Sequence, residues 1–367
     1  MSPLPTRGSA LLVASCLLAA AVQPARAEDL LLGVYGPANA ASLDAVAGTA
    51  IDHIIPSGIE NMEETTIRSF LDAAASKNIK IIFSLKDAFK ESKWYPGIDW
   101  CPTQDEAALV ACIATKFAAH EAVGGWYLCD EPTNLLGRFK GDKLRANAGG
   151  IRAVSKKPIF AEEVALPRGK HWDLLDEVAD RLLVTAYPVP DKPLSDAFTR
   201  VAALGERHRK PVVAVIQAFD KNNVPYFKSQ GVAGRPPLYE EERVMSYLSL
   251  LAGAQGIVYY SLPELKKITD WQARLGRLAE LGAELKKNYP LIRSTARLLL
   301  RYTVAADEGV YHAITNSGGA DQIIAVNATA SLKTVRIEWE DASGKRGART
   351  IPLGALEVRL AAIAGLK

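Results

Sequence analysis

The sequence has 367 residues, which is more than a small domain needs and fits a barrel of about 250 residues with an accessory module. Hydrophobic residues make up 49% and charged residues 23%, and these ordinary globular values exclude an intrinsically disordered chain. The formal net charge of +3 falls to +1 without residues 1–27, which contain Arg7 and Arg26. This near-neutral charge gives no electrostatic basis for binding nucleic acid or an anionic membrane.

Residues 1–27 have the pattern of a secretory signal peptide. Arg7 precedes the apolar run from Ala10 to Val22, and Ala25-Arg26-Ala27 is a small-x-small cleavage signature. The apolar run is too short to span a bilayer comfortably. We therefore expect cleavage near Ala27 and a secreted or periplasmic mature protein with no membrane insertion. The alternative is a lipoprotein signal with an acylated Cys16, although apolar residues rather than a polar tether follow that cysteine.

Residues 28–294 alternate between short apolar runs and segments with helical spacing. The runs are continuous rather than alternating, which is typical of parallel strands that are buried on both faces. The eight runs are Leu30 to Tyr35, Ile51 to Pro56, Ile79 to Leu85, the run at Trp126, Pro158 to Ala161, Leu182 to Ala186, Pro211 to Ile216 and Gly256 to Tyr260. Eight such units predict a (β/α)8 TIM barrel. A doubly wound sheet is the alternative, but no phosphate-binding glycine motif follows any run.

Residues 295–367 have a different pattern. Short alternating runs are separated by turn sequences such as Asp307-Glu308-Gly309 and Ser343-Gly344. This pattern predicts a small antiparallel β-sandwich domain at the C-terminus.

The fourth apolar run stops abruptly at Asp130-Glu131-Pro132. Two adjacent carboxylates repel each other and resist burial, so a strand that presents both indicates a functional site. Pro132 cannot donate a ladder hydrogen bond, and it restricts Glu131 to extended geometry. A helix cap, or an ion pair with Arg138 or Lys140, is the structural alternative for these acids.

Polar or aromatic residues also end the other predicted strands. The carboxyl ends of barrel strands converge on one face, so we expect a cleft there. Its predicted lining is Tyr35, Ser57, Lys86, Asp87, Asp130, Glu131, Glu162, Glu163, Tyr187, Gln217 and Tyr260, fringed by Trp94 and Trp100. Carboxylates with aromatic faces are what a carbohydrate site requires. Core packing of the tyrosines, covering of the barrel mouth by the tryptophans, and pairing of the glutamates with nearby Arg168 and Lys170 remain open alternatives.

The cysteines and histidines point to structure rather than catalysis. Cys101 lies in a predicted loop and Cys112 on the following helix, so we expect a disulfide between them in an oxidising compartment. Cys129 is then a buried thiol in the fourth strand. The five histidines are scattered, without paired spacing, so we expect no metal and no other cofactor.

The stretch from Gly125 to Pro132 resembles the fourth strand of TIM-barrel glycoside hydrolases, especially the Asn-Glu-Pro motif of clan A. The resemblance implies that Glu131 is the general acid/base and that Asp130 replaces the asparagine that contacts the substrate. It also exposes a departure, because Gln217 stands where clan A places its nucleophilic glutamate. Glu163 is our first choice for a second carboxylate, with Glu162 and Asp87 as alternatives. A similarity to substrate-assisted barrel enzymes would instead combine Asp130, Glu131 and Tyr187.

These features predict a secreted, monomeric glycoside hydrolase that acts on a poly- or oligosaccharide. We expect Glu131, Asp130 and Glu163 to be catalytic. The expected substrate-binding residues are Tyr35, Lys86, Asp87, Trp94, Trp100, Tyr187, Gln217 and Tyr260. A non-catalytic carbohydrate-binding barrel of an envelope or exopolysaccharide system is the main alternative, and a lyase or transferase with the same site is another.

Overall fold

The computed structural model describes residues 29–59, 62–86, 99–103, 105–131, 141–163, 172–232, 234–294, 301–317 and 319–363. The predicted signal peptide and the predicted site residues Asp87 and Trp94 lie outside the described residues. The four cations that the sequence offers as alternative partners for the acids lie outside them too.

Eight parallel strands close into a barrel in chain order, with the eighth strand paired to the first. The strands are β1 (Leu31–Pro37), β2 (His53–Ser57), β3 (Lys80–Ser84), β4 (Val123–Asp130), β5 (Ile159–Glu163), β6 (Arg181–Ala186), β7 (Val212–Gln217) and β8 (Gly256–Tyr260). Each coincides with one of the eight apolar runs, so the predicted (β/α)8 barrel is confirmed. The strand sequences do not alternate between apolar and polar residues, because one face of each strand lines the barrel and the other packs against helices.

Helices follow the strands around the outside of the barrel. They are α1 (Ala40–Val46), α2 (Glu64–Ser76), α3 (Glu106–Phe117), α4 (Gly141–Val154), α5 (Trp172–Val178), α6 (Asp196–His208), α7 (Pro225–Ser229), α8 (Tyr239–Leu251), α9 (Leu262–Leu265) and α10 (Trp271–Ile292). Side-chain caps fix where two of them begin. Asn39 accepts a hydrogen bond from the Ser42 amide at 2.9 Å, and Asp105 accepts one from the Ala108 amide at 2.8 Å.

The barrel has an inner and an outer core, and the separation shows which way each strand residue points. The inner core consists of Leu31, Tyr35, Ile55, Ile82, Tyr127, Phe160, Leu183, Val213, Val215 and Val258, with Tyr187 and Tyr260 packed against it. The larger outer core fills the space between the strands and the helices. Tyrosines occupy the inner core near the carboxyl ends of the strands, so the barrel is apolar inside and becomes polar towards that mouth.

Two three-stranded antiparallel sheets follow the barrel, as predicted for a small β-sandwich. Their strands are β9 (Arg301–Ala306), β10 (Val310–Ser317), β11 (Ala320–Asn327), β12 (Lys333–Glu340), β13 (Arg346–Leu353) and β14 (Val358–Ala362), in the orders β10-β11-β14 and β13-β12-β9. Helix α8 joins the sandwich to the barrel, because Arg243 pairs with Glu284 of α10 and donates to the Val358 carbonyl at 3.1 Å. The Phe198 and Tyr311 rings also meet across this junction at 4.8 Å.

The predicted disulfide between Cys101 and Cys112 is present, and it ties the segment that precedes α3 to that helix. Cys129 is a free, buried thiol, and burial raises its pKa well above the ordinary value. Every helix within the described residues is too short or too polar to cross a membrane.

Candidate active site

Side chains from the ends of five strands meet at the carboxyl-end mouth of the barrel, and Asp130 of β4 joins them. Tyr35 lies on β1, Lys86 follows β3, Glu162 lies on β5, Tyr187 follows β6 and Tyr260 ends β8. Each stands an even number of residues from an inner-core residue of its own strand, so it continues the inward-facing positions. The barrel therefore brings together residues that are as far apart in the sequence as Tyr35 and Tyr260.

Asp130 reaches this mouth because β4 contains an irregularity. Tyr127 pairs with Phe160 of β5, but the next pair is Cys129 with Ala161, so Leu128 is an extra residue. Such a bulge shifts the phase of every following side chain. Without the bulge, the Asp130 side chain would point outward, as does that of Leu128 two residues earlier. With it, Asp130 pairs with Glu162 on the inward face, and its Oδ2 lies 3.0 Å from the Lys86 ammonium.

Glu131 has a left-handed backbone conformation, with φ of +46°. This region is costly for a residue with a long side chain, by roughly 1–3 kcal/mol, and such residues cluster at functional sites. The Glu131 amide still pairs with the Glu162 carbonyl at 2.9 Å, so the chain turns sharply immediately after the sheet ends. The turn differs from the extended geometry that we expected before Pro132. It holds a partly exposed carboxyl group close enough to act electrostatically on Glu162 and Tyr187.

Glu162 lies at the floor of the mouth, with only 4% of its surface exposed. Two phenols, Tyr35 and Tyr127, donate hydrogen bonds to its Oε2, the second at 2.7 Å. Burial is the main reason that its pKa rises from 4.5 to about 8, and the nearby Asp130 charge adds to the effect. Glu162 is therefore a neutral carboxylic acid at pH 7, beneath a carboxylate that is paired with a lysine.

Glu163, our first choice for the second carboxylate, does not face this mouth. It pairs with Val184 of β6, which belongs to the outer core, whereas Glu162 pairs with Leu183 of the inner core. Glu163 is fully buried between the barrel wall and the helices. The structure therefore places Glu162 rather than Glu163 at the mouth, because adjacent strand residues point to opposite faces.

A group of tyrosines surrounds the acids. The Tyr35 ring lies 5.3 Å from Tyr260 and 6.0 Å from Tyr127, and Tyr260 lies 5.7 Å from Tyr187. Burial and the neighbouring carboxyl groups raise the pKa of all four phenols, that of Tyr260 to about 12. They therefore remain hydrogen-bond donors over the physiological range. Sequence reasoning did not single out Tyr127, because an inward-facing tyrosine within an apolar run looks like core.

Gln217 lies at the expected place but does not offer its amide to a ligand. Its Oε1 accepts from the Val189 amide at 3.0 Å, and its Nε2 donates to the carbonyls of Val189 and Phe219 at 3.0 and 3.1 Å. The side chain is completely buried. Gln217 thus fastens the loops after β6 and β7 to each other, which corrects its expected role in substrate binding.

Trp100 is also placed differently from the expectation. Its indole N–H donates to the Met62 carbonyl at 3.0 Å, and its ring packs edge-on against Phe117 of α3 at 5.8 Å. Phe117 belongs to the outer core. Trp100 therefore covers the outer side of the barrel between α2 and α3, rather than the mouth.

Two further features bear on the choice of site. A cavity of about 290 Å³ lies on the outside of the barrel between α1 and α10, and its lining, which includes Thr49 and Trp271, has no ionisable side chain. It cannot support acid–base chemistry. Among the described residues, no three His, Cys, Asp or Glu side chains are arranged to hold a metal ion.

The described residues form a closed (β/α)8 barrel, and this fold is shared with several solved glycoside hydrolases. The chain is similar in structure to a catalytic mutant of Gan42B, a GH42 β-galactosidase from G. stearothermophilus, with a TM-score of 0.64 and 9% identity over 92% of this chain and 98% of that one. It is also similar to a GH5 glycoside hydrolase from Bacteroides vulgatus, with a TM-score of 0.56 and 13% identity over 92% and 90% of the two chains.

A third similar structure is the cold-adapted β-galactosidase from Rahnella sp. R3, with a TM-score of 0.54 and 13% identity over 72% of this chain. The chain spans only 57% of the length of that enzyme. No protein-family model matches the sequence, and no match was found among curated proteins. At these identities the similarities establish the fold, while the chemistry has to be argued from the residues.

Proposed function

We propose that this protein is a glycoside hydrolase that cleaves O-glycosidic bonds of a poly- or oligosaccharide at the carboxyl-end mouth of the barrel. The observation that carries the proposal is the meeting of Asp130, Glu131 and Glu162 in different environments. Glu162 is buried and neutral, Asp130 is paired with Lys86, and Glu131 is partly exposed on a strained turn. Acids that are separated in this way can divide the tasks of proton donation and charge stabilisation.

Glu131 is the group that we assign as general acid. It is a partly exposed glutamate at the mouth. Its left-handed backbone conformation is costly for a glutamate, so the turn by itself does not explain why this residue type is present. The Asp130 side chain is 38% exposed, so this carboxylate can face the positive charge that develops on the sugar ring. Tyr187 and Tyr260 supply partly exposed ring faces for the substrate.

Glu162 has a supporting role in this proposal. A charge on it would repel the Asp130 carboxylate, whereas the neutral form accepts hydrogen bonds from Tyr35 and Tyr127 without that repulsion. The residue is too deeply buried to contact a sugar. It fixes the positions of the two phenols through their hydrogen bonds to its Oε2.

The proposal is tested by assaying reducing-end release from a panel of plant, bacterial and fungal polysaccharides. Glu131→Gln should lower turnover by about 10²- to 10⁴-fold, because the amide cannot donate the proton that the leaving oxygen needs. The matched control is Glu121→Gln, which changes an exposed glutamate just before the opposite end of β4 and should retain full activity. Equal activity of the two variants would remove Glu131 from the role.

A second readout separates catalysis from folding. Glu131→Asn places a residue that tolerates the left-handed region at this turn, so it should unfold at no lower denaturant concentration than the parent while losing turnover. Parental turnover in a folded Glu131→Asn variant would contradict the assignment of Glu131 as the acid, because asparagine cannot donate the proton.

One observation favours a second candidate, a non-catalytic carbohydrate-binding barrel. The position at the end of β7 carries a glutamine whose amide is hydrogen-bonded to backbone groups, so the end of this strand offers no carboxylate to a substrate. Glycan binding measured by calorimetry, without any product release over long incubation, would support this candidate over hydrolysis.

We also propose export of the mature chain from the cytoplasm. The leader pattern of residues 1–27 supports it, and the Cys101–Cys112 disulfide is compatible with an oxidising compartment. N-terminal sequencing of the protein recovered from the periplasm or medium should begin at Glu28. Recovery of an uncleaved or acylated chain would contradict this processing.

A further inference from the structure

A continuous series of aromatic rings runs from the mouth of the barrel to an exposed tyrosine on its rim. Tyr260 contacts Tyr187 at 5.7 Å, Tyr187 contacts Phe227 at 6.4 Å, and Phe227 contacts Tyr226 at 5.2 Å. Phe219 reinforces the middle of the series, because its ring lies 5.1 Å from Tyr187 and 5.8 Å from Phe227. We call Tyr260, Tyr187, Phe227 and Tyr226 the aromatic ridge.

Tyr226 exposes most of its side chain on the carboxyl-end face of the barrel. It is 63% exposed, one of the few large hydrophobic side chains in the described part of the chain with so much accessible area. It lies on α7, which follows the carboxyl end of β7, and that is the face of a barrel where substrates bind.

The segment that carries Tyr226 is held firmly. Lys221, which is 2% exposed, pairs with Asp191 and places its ammonium 5.3 Å from the centre of the Phe227 ring. Asn222 exchanges hydrogen bonds of 2.6 and 2.9 Å with the backbone of Gly234. A Cβ at Gly234 would lie 2.4 Å from the backbone nitrogen of Asn222, so this close approach requires glycine. These contacts hold the backbone of the segment that carries Tyr226, and a backbone that is already ordered lowers the entropic cost of binding there.

We propose that Tyr226 forms a distal subsite for a carbohydrate chain, so that the substrate of the mouth is an extended oligo- or polysaccharide rather than a single sugar unit. The inference rests on the proposed function, and it names the substrate class. A sugar ring at Tyr260 and Tyr187 occupies the inner end of the aromatic ridge, and Tyr226 is reached by units further along the same chain. Flat aromatic faces bury the apolar face of a sugar while its hydroxyls remain in water.

The test compares binding of short and long ligands by calorimetry in the Glu131→Gln background, which prevents cleavage during the titration. The probes are the disaccharides and hexasaccharides of the cello, chito and β-1,4-galactan series. Tyr226→Ala should weaken hexasaccharide binding by about three- to tenfold and reduce the advantage of the hexasaccharide over the disaccharide. Tyr226→Phe retains the ring and should restore that advantage. Leu332→Ala, which truncates another exposed apolar side chain on the sandwich, should bind as the parent does.

The outcomes are distinct. Hexasaccharide binding that is stronger than disaccharide binding, but unchanged in Tyr226→Ala, overturns the distal subsite and leaves the proposed function standing. Equal affinity of the parent for the disaccharide and the hexasaccharide would also overturn the distal subsite and leave the proposed function standing. If none of the probes binds and the polysaccharide panel gives neither binding nor product, the proposed function fails, and the subsite fails with it. A loss that Tyr226→Phe does not restore would show that the ring is not the contact.

Discussion

Replacing Glu162 by glutamine should remove much of the pH dependence of the stability of this protein. In the unfolded chain the carboxyl group ionises at its ordinary value of 4.5, but in the folded protein burial and the Asp130 charge raise its pKa to about 8. The unfolded state therefore releases a proton between these values while the folded state keeps it. Glu162 costs no stability below pH 4.5, and the cost grows as the pH rises towards 8.

The size of the effect follows from the same two values. At 1.36 kcal/mol for each pH unit, the free energy of unfolding should fall by about 3 kcal/mol between pH 5 and pH 8 because of this group alone. Glutamine is nearly isosteric and cannot ionise. Its carbonyl oxygen can accept from Tyr35 and Tyr127 as Glu162 Oε2 does. The stability of Glu162→Gln should therefore change less over this range and exceed that of the parent at pH 8.

The assay is urea unfolding at a series of pH values from 4.5 to 9, and it needs no knowledge of the substrate. Glu242 of α8 provides the matched control. It is similarly buried, burial raises its pKa to about 8, and it lies outside the mouth near Arg274 and Tyr259. Glu242→Gln should flatten the curve by a similar amount without affecting the mouth. If the parent and Glu162→Gln give parallel curves, Glu162 is not a neutral acid in the folded protein, and the division of roles among the three acids is wrong.

Two further predictions concern the framework of the site. Gln217→Glu should not create a catalytic nucleophile; it should destabilise the protein by about 3 kcal/mol in urea unfolding, because an acceptor replaces the group that donates to the Val189 and Phe219 carbonyls. Unchanged stability, or a gain in turnover, would contradict the assigned role of Gln217. Replacing both Cys101 and Cys112 by serine should lower the free energy of unfolding by about 3 kcal/mol, the chain-entropy value for a loop of this size. Parallel unfolding of the double variant and the parent under oxidising conditions would argue against the disulfide.

Local sequence patterns were sufficient to predict the architecture and to place Asp130 and Glu131 at the candidate site. Eight apolar runs with intervening helical segments favour a parallel barrel, since it buries both faces of every short strand. Turn residues at regular intervals marked the sandwich. Asp130 and Glu131 could be placed at the mouth because a strand that ends in two acids and a proline ends on the ligand-binding face. The Cys101–Cys112 disulfide followed from the short separation of a loop and the next helix.

Only the tertiary structure decided which neighbouring side chains belong to the site. β5 is buried on both faces, so its sequence has no alternation to show whether Glu162 or Glu163 points inward; the pairing with β6 shows it. The bulge that turns Asp130 inward depends on the register between β4 and β5. Gln217 is bonded to Val189, 28 residues earlier, and the rings that lead to Tyr226 come from three different strand-end segments. The sequence pattern predicts where each strand lies, but register and long-range contacts determine which of its faces forms the site.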